Sequence, residues 1–207
     1  MKKIVLSFLI FVVLISFSKT IHISSDYVEP TDSVISYSGN IVVLIEPDNL
    51  SLKTERMEIE KIQNKWILLS ATGTVQISFD KGELEGENLS YNIETQYGTI
   101  EDSSLTIIDS KSSETIFINC EKLNFDLLNN VFEGNSKNQK IEIIKGSITA
   151  YSNKFFYNKE KGELILEDNV ELIDKEKNIK IKAVKIILNT ENNNLKGEKV
   201  QVEIVVE

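Results

Sequence analysis

The sequence predicts an all-β protein, built as a long rolled double sheet of repeated antiparallel strands around an apolar trough. Three observations predict this fold class. After the N-terminal segment, no stretch repeats its apolar residues at a helical period. Several segments alternate strictly between apolar and polar residues, as in GTVQISFD from Gly73. A one-residue slip in the alternation recurs five times along the chain, at steps of 31 to 34 residues.

The first eighteen residues have the pattern of a signal peptide. Two lysines precede an uncharged run from Ile4 to Phe17, and Ser16 and Ser18 are small residues at the spacing of a cleavage site. As a helix this run would span about 21 Å, which is shorter than the ~30 Å hydrocarbon core of a bilayer. The sequence therefore favours cleavage after Ser18 and a single mature domain over residues 19–207. An uncleaved inner-membrane anchor stays open as the alternative.

The mature chain is acidic, which argues against nucleic acid as a partner. The full sequence has 23 basic and 32 acidic side chains, and loss of Lys2 and Lys3 with the signal segment would lower the net charge from −9 to −11. Arg56 is the single arginine. A phosphate clamp built from planar guanidinium groups is therefore also disfavoured.

The slip in alternation is clearest around EGENLSYN, from Glu85. Leu84 and Gly86 are two residues apart, and so are Leu89 and Tyr91, but the two pairs are one residue out of phase. A straight strand would place the two pairs on opposite faces of the sheet. We therefore expect a β-bulge or a sharp corner that turns both pairs towards one interior.

Five units share this arrangement of residues. Each has a hydrophobic residue and a small or polar residue two apart, followed three residues later by an apolar pair. The small or polar residues, which leave room for a corner, are Thr54, Gly86, Cys120, Ser152 and Ala183. The apolar pairs are Met57 and Ile59, Leu89 and Tyr91, Leu123 and Phe125, Phe155 and Tyr157, and Ile186 and Leu188. Repeated corners predict a V-shaped or rolled double sheet with an apolar trough, whereas the alternative is a sandwich core that nothing enters.

At these residues the chain resembles the LptA/OstA-like family, the lipopolysaccharide-transport proteins of bacteria, whose fold is an open β-jellyroll. The family repeats a Gly-Asn-Val element, followed by a strand that ends in a small residue, two polar residues, Leu, any residue and an aromatic residue. The first element is represented here by Gly39-Asn40-Ile41, Gly73-Thr74-Val75 and Asp168-Asn169-Val170. The second is clearest at residues 86–92 and 120–126. The match covers residues 30–205, but the units near Ser104 and Asn135 lack the first element.

The resemblance implies a periplasmic protein that shields the acyl chains of lipopolysaccharide, or of a related glycolipid, and passes them towards the outer membrane. It also implies partner proteins of the same fold at the inner and outer membranes. Two alternatives stay open: a membrane-anchored LptC-like component of the same system, and a structural or adhesive β-solenoid of the cell surface. From the inward phase of the strands, we expect the lipid-binding trough to be lined by Val75, Ile77, Phe79, Leu89, Tyr91, Leu105, Ile107, Leu123, Phe125, Phe155 and Tyr157.

Catalytic and metal sites have little support in the sequence. The single histidine, His22, lies just after the signal segment, and the single cysteine, Cys120, excludes an intrachain disulfide and a lipoprotein anchor near the cleavage site. Glu83, Glu85 and Glu87 alternate with apolar positions, which is typical of a solvated strand face. We expect no enzyme activity, no cofactor and no metal site, and we interpret Cys120 as the small buried residue of its corner.

The two ends of the mature chain predict head-to-tail association. The last segment, from Lys199, is strongly β-forming and lacks proline, and SYSGNIVVLIE from Ser36 is equally unprotected until Pro47. We expect the C-terminal edge of one copy to pair with the N-terminal edge of the next. Because such a contact does not close on itself, the assembly would lengthen with concentration.

Overall fold

The computed structural model describes residues 19–204, which form seventeen β-strands and no helix. The predicted signal segment, residues 1–18, lies outside the described residues. Within the described part of the chain there is accordingly no helix of the length and hydropathy that crossing a membrane requires. The strands are β1 (Thr20–Ser24), β2 (Tyr27–Pro30), β3 (Val34–Glu46), β4 (Leu50–Ile62), β5 (Lys65–Thr72), β6 (Val75–Phe79), β7 (Gly82–Asn92), β8 (Tyr97–Ile108), β9 (Thr115–Asp126), β10 (Val131–Asn135), β11 (Ile141–Lys145), β12 (Ile148–Ser152), β13 (Lys154–Asn158), β14 (Glu163–Asp174), β15 (Ile179–Asn189), β16 (Leu195–Glu198) and β17 (Gln201–Ile204).

The strands form one continuous antiparallel sheet that bends into two facing layers. The long strands pass from one layer to the other at a corner, and each short strand lies in one layer only. The first layer contains β1, β6, β11, β12, β17 and the adjoining halves of β3, β4, β7, β8, β9, β14 and β15. The second layer contains β2, β5, β10, β13, β16 and the other halves of the long strands. The predicted fold class, an all-β open jellyroll, is confirmed.

The phase slip that the sequence predicts in β7 is a corner in the structure. Leu84 and Leu89 are both buried, although they are five positions apart and would lie on opposite faces of a straight strand. The register between β7 and β8 shifts on both sides of Glu87, and Asn88 has a left-handed φ of 50°. Asparagine tolerates this conformation better than most residues, which explains its place at the bend. The same slip occurs in β9, where Cys120 and Leu123 both face the interior.

The Gly-Asn-like elements also form corners, a role that the sequence analysis gave only to the second strand of each unit. Gly39 and Asn40 have φ values of 78° and 47°, and the register of β3 against β4 shifts at these residues. Asp168 and Asn169 have φ values of 62° and 58°, at the shift between β14 and β15. Left-handed pairs in these strands therefore complement the slips in their partner strands.

The predicted N-terminal edge is wrong. The segment from Ser36 belongs to β3, which pairs with β4 on one side and with β1 and β2 on the other. The short segments that follow the predicted signal segment, including TIHIS from Thr20, form the outermost strands instead. At the other end, β16 and β17 pair with β15, so the C-terminal segment is an edge as predicted.

Candidate functional site

The apolar space between the two layers is the candidate site. All the residues predicted to line the trough face this interior, and all except the half-buried Phe79 are at most 3% exposed. The two layers both contribute to the set: Val75, Ile77, Phe79, Leu105 and Ile107 lie in the first layer, and Leu89, Tyr91, Leu123, Phe125, Phe155 and Tyr157 lie in the second. These side chains therefore point into the interior, as expected, whereas their contact with lipid stays a prediction.

The sequence analysis missed part of this interior. Phe132 is fully buried in β10 and stacks on rings from both sides, with centroid distances of 5.9 Å to Phe79 and 6.3 Å to Tyr157. Ile141 and Ile143 of β11 are also buried. The alternation in VFEGN and IEIIK could have identified these residues, but both strands are short and lack the Gly-Asn-Val element.

Three inward-facing glycines each lie beneath an aromatic ring of the neighbouring strand. A Cβ atom at Gly98 would be 2.4 Å from the ring of Phe125, and one at Gly134 would be 2.4 Å from the ring of Phe155. Gly82 has the same relationship to Phe79, at 2.5 Å. In each pair the two residues are direct cross-strand partners. The glycines thus let the rings lie flat against the sheet, as in designed β-sheets.

The side of the jellyroll opposite the corners, where turns from the two layers meet, is called the mouth here. A buried carboxylate, Asp109, bridges the mouth immediately after β8. Its Oδ2 accepts hydrogen bonds from Lys111 N at 3.1 Å and from Ser112 N at 2.7 Å, within its own turn. Its Oδ1 accepts one from Thr190 Oγ1 at 2.9 Å and one from Tyr157 Oη, both in the second layer. One carboxylate oxygen therefore holds the turn and the other holds the facing layer.

The protonation state of the bridge follows from these contacts. Burial opposes ionisation of Asp109, but the hydrogen bonds from Tyr157, Ser112 and Thr190 outweigh it, so that the pKa of Asp109 lies below its ordinary value of 3.8. Burial and the Asp109 carboxylate together raise the pKa of Tyr157. At neutral pH the bridge is thus a charged acceptor with a neutral phenol donor, which is the stronger kind of hydrogen bond.

Lysines form further polar contacts across the mouth. Lys145 is 2% exposed, and its Nζ binds Glu114 in the first layer and Asn193 Oδ1 in the second, the latter at 2.7 Å. Lys19 Nζ lies 2.6 Å from Asp48 Oδ2 and donates to the carbonyl oxygen of Ile93 at 2.8 Å. Hydrogen bonds and ion pairs between turns therefore hold the layers at the mouth, whereas continuous strands join them at the corners.

A surface groove of about 720 Å³ has a mixed lining that differs from the apolar interior. Charged residues such as Glu133 and Lys154 line it together with Phe155 and Phe156. Among residues 19–204, no three His, Cys, Asp or Glu side chains come together as they would to hold a metal ion. Cys120 is buried as predicted, and burial raises the pKa of its thiol to about 11, which favours the unreactive thiol form.

The comparisons with known proteins find likenesses among solved structures and none among family models or curated sequences. A solved structure is similar: LptH, the LptA-homologous periplasmic component of the lipopolysaccharide transport device of Pseudomonas aeruginosa. The likeness covers 90% of this chain and 96% of that one, at 12% sequence identity and a TM-score of 0.26. A TM-score this low carries no argument about function.

Proposed function

We propose that this protein is a periplasmic carrier whose apolar interior shields the acyl chains of lipopolysaccharide, or of a similar glycolipid, during transport to the outer membrane. The observation that carries the proposal is an apolar interior that continues to both ends of the sheet. At the C-terminal end, Val202 and Ile204 are 56% and 62% exposed on the face that they share with Ile181. At the other end, Val28 is 55% exposed on the face of Tyr37.

The energetics support a lipid as the occupant. Each methylene group that is kept out of water contributes about 0.8 kcal/mol, so a free acyl chain cannot cross an aqueous compartment without cover. The interior offers aliphatic and aromatic side chains from both layers along its whole length. Away from the mouth, charged side chains such as Glu83 and Glu85 on β7 face outwards, so a polar head group would stay in solvent.

Entry of an acyl chain would require the two layers to move apart, because the interior side chains are tightly packed. Facing sheets lie about 10 Å apart, and their interdigitated side chains fill that gap. Parting the layers at the corners would break continuous strands. Parting them at the mouth would separate packed side chains and break polar contacts such as those of Asp109 and Lys145, but it would leave every strand intact. We therefore propose that lipid enters through the mouth.

The two alternative functions, a β-solenoid and an anchored LptC-like component, differ from the carrier in different features of the chain. A β-solenoid stacks successive coils, whereas this chain pairs its strands antiparallel within a sheet that bends at corners. That difference favours the carrier over the solenoid. The carrier and the anchored LptC-like component share the proposed interior and differ in residues 1–18. The proposed partners are therefore the same in both cases: the glycolipid itself and proteins of the same fold at either membrane.

The direct test is lipid binding by the mature chain. Residues 19–207 would be purified from a lipopolysaccharide-producing host, extracted with organic solvent and examined by mass spectrometry. The same protein, freed of lipid, would then be titrated with purified lipopolysaccharide. We expect co-purifying acylated lipid and saturable binding. Absence of both would show that the protein is not a carrier of this lipid.

A matched pair of variants tests whether binding occurs in the interior. Leu89 is 2% exposed, and its neighbour Ser90 points outwards. Leu89→Asp should abolish lipid binding, while Ser90→Asp should bind like wild type. Circular dichroism would establish that both variants fold. If Leu89→Asp does not fold, Phe79→Asp replaces it, because Phe79 is only partly buried. A folded interior variant with unchanged lipid affinity would remove these residues from the site.

A further inference from the structure

Tyr91 places an unpaired hydroxyl group inside the apolar interior. The residue is 1% exposed, and its ring stacks on Phe125 at a centroid distance of 5.9 Å. Its Oη is buried and has no hydrogen-bond partner among residues 19–204. A buried hydroxyl without a partner is uncommon, because it has lost its contacts with water and gained none in return.

Tyr157 occupies the equivalent position in another repeated unit, and there the hydroxyl group has a hydrogen-bond partner. Tyr91 and Tyr157 are the second members of their apolar pairs, in two of the five repeated units. The hydroxyl of Tyr157 donates to Asp109 across the mouth. The carboxylate of Asp48, in the turn after β3, pairs instead with Lys19 at 2.6 Å. In its unit, the phenol of Tyr91 therefore has no partner of this kind within residues 19–204.

The surroundings of Tyr91 determine what its hydroxyl can bind. Burial, and then the negative charge of Asp48, raise the pKa of Tyr91, so the phenol is neutral and available as a donor at physiological pH. Tyr91 is next to the last residue of β7, and the turn that follows begins with the buried Ile93 at the mouth. A ligand that reaches this point has its apolar part inside and its polar part at the rim.

We propose that the Tyr91 hydroxyl is a binding site for the carbonyl oxygen of an ester- or amide-linked acyl chain. This inference rests on the proposed carrier function and adds a specific contact to it. In an acylated lipid the linking carbonyl lies between the hydrocarbon chain and the head group. With the chain in the interior, that carbonyl lies at the depth of Tyr91, where it accepts the hydrogen bond that the free protein leaves unmade.

The first arm of the test measures stability without lipid. Tyr91→Phe removes a hydroxyl that makes no hydrogen bond, so the melting temperature should stay unchanged or rise. Tyr157→Phe, the matched control, removes a bonded hydroxyl and leaves Asp109 without one donor, so the melting temperature should fall by several degrees. If both variants lose equal stability, the Tyr91 hydroxyl is already bonded in the free protein and the inference is wrong.

The second arm measures binding of two probes, the methyl ester of pyrene-labelled dodecanoic acid and pyrenyl-dodecane, which differ in the ester group. Tyr91→Phe should weaken binding of the ester about tenfold and leave the affinity for the hydrocarbon unchanged. If wild type binds both probes and the variant affects them equally, the Tyr91 site is wrong and the carrier function stands. If wild type binds neither probe, nor lipopolysaccharide, the carrier function fails and the Tyr91 site fails with it.

Discussion

The Cβ atom that Gly86 lacks would lie 2.6 Å from the backbone carbonyl oxygen of Glu101 on β8. The side chain of Ile100 would be nearly as close, at 2.9 Å. Backbone atoms of a paired strand cannot move aside cheaply. The two strands can therefore approach each other at this corner only because residue 86 has no side chain.

Replacement of Gly86 by valine should therefore destabilise the fold. Overpacking of this kind costs about 1–3 kcal/mol, which for a domain of this size lowers the melting temperature by about 2–4 °C per kcal/mol. Gln76→Val is the matched control, since Gln76 faces solvent on β6, and it should be neutral or slightly stabilising. Thermal unfolding followed by circular dichroism would compare the two. Equal losses would mean that residue 86 is not crowded.

Gly98 and Phe125 should be coupled energetically. Gly98→Ala would place a methyl group against the Phe125 ring and force it towards the interior, so we expect a loss of stability. In a Phe125→Leu background the ring is gone, and the same substitution should cost less. Urea unfolding of both single variants and the double variant gives the coupling energy, which we expect to be about 0.5–3 kcal/mol. Simple additivity would show that the ring does not depend on the glycine.

The sequence predicts the corners and the interior of this protein well because both depend on local patterns. Alternation assigns each residue to a face, and the recurrent slip marks each bend, as at Gly86. The hydrogen-bond partners of side chains in the turns cannot be predicted from local patterns. Asp109 binds Thr190 and Tyr157 across gaps of 81 and 48 residues, and no periodicity connects these positions. The N-terminal edge was predicted wrongly because β1 and β2 have only five and four residues, and YVEP of β2 shows no alternation.

The Asp109 bridge should make stability depend on pH. The folded-state pKa of Asp109 is depressed, so its contribution is fully present above the unfolded pKa and is lost as the pH falls through the folded value, below 3.8. Asp109→Asn should lose about 1–3 kcal/mol at neutral pH, since the hydrogen bonds to the charged form are gone. The difference between wild type and variant should shrink on acidification. Urea unfolding across this pH range would measure that difference.

Asp102→Asn is the control for this experiment. Asp102 is exposed at a corner and has a left-handed φ of 46°, a conformation that asparagine also accepts. The control should follow wild type at every pH. A constant difference between wild type and Asp109→Asn from neutral to acid pH would contradict the assignment of an ionised, hydrogen-bonded Asp109.

The open ends of the sheet predict head-to-tail assembly of residues 19–207. The edge strands are β16 and β17 at one end and β1 and β2 at the other, and inward-facing Val202 and Ile204 are half exposed or more. Pairing of these edges would cover the apolar residues and continue the interior from one copy to the next. Because the two edges differ, the contact is heterologous and the assembly should lengthen with concentration. Light scattering over a concentration series would measure the mass.

Substitutions on the two faces of β17 test whether this contact depends on the interior. Val202→Glu places a charge on the inward face, and Gln201→Glu places the same charge on the outward face of the adjacent residue. An inward charge blocks edge-to-edge pairing, so the first variant should be monomeric and the second should assemble like wild type. A chain that ends at Gly197 lacks β17 and should also be monomeric. If wild type itself stays monomeric at every concentration, self-assembly is wrong, and the free edges are left for partner proteins of the same fold.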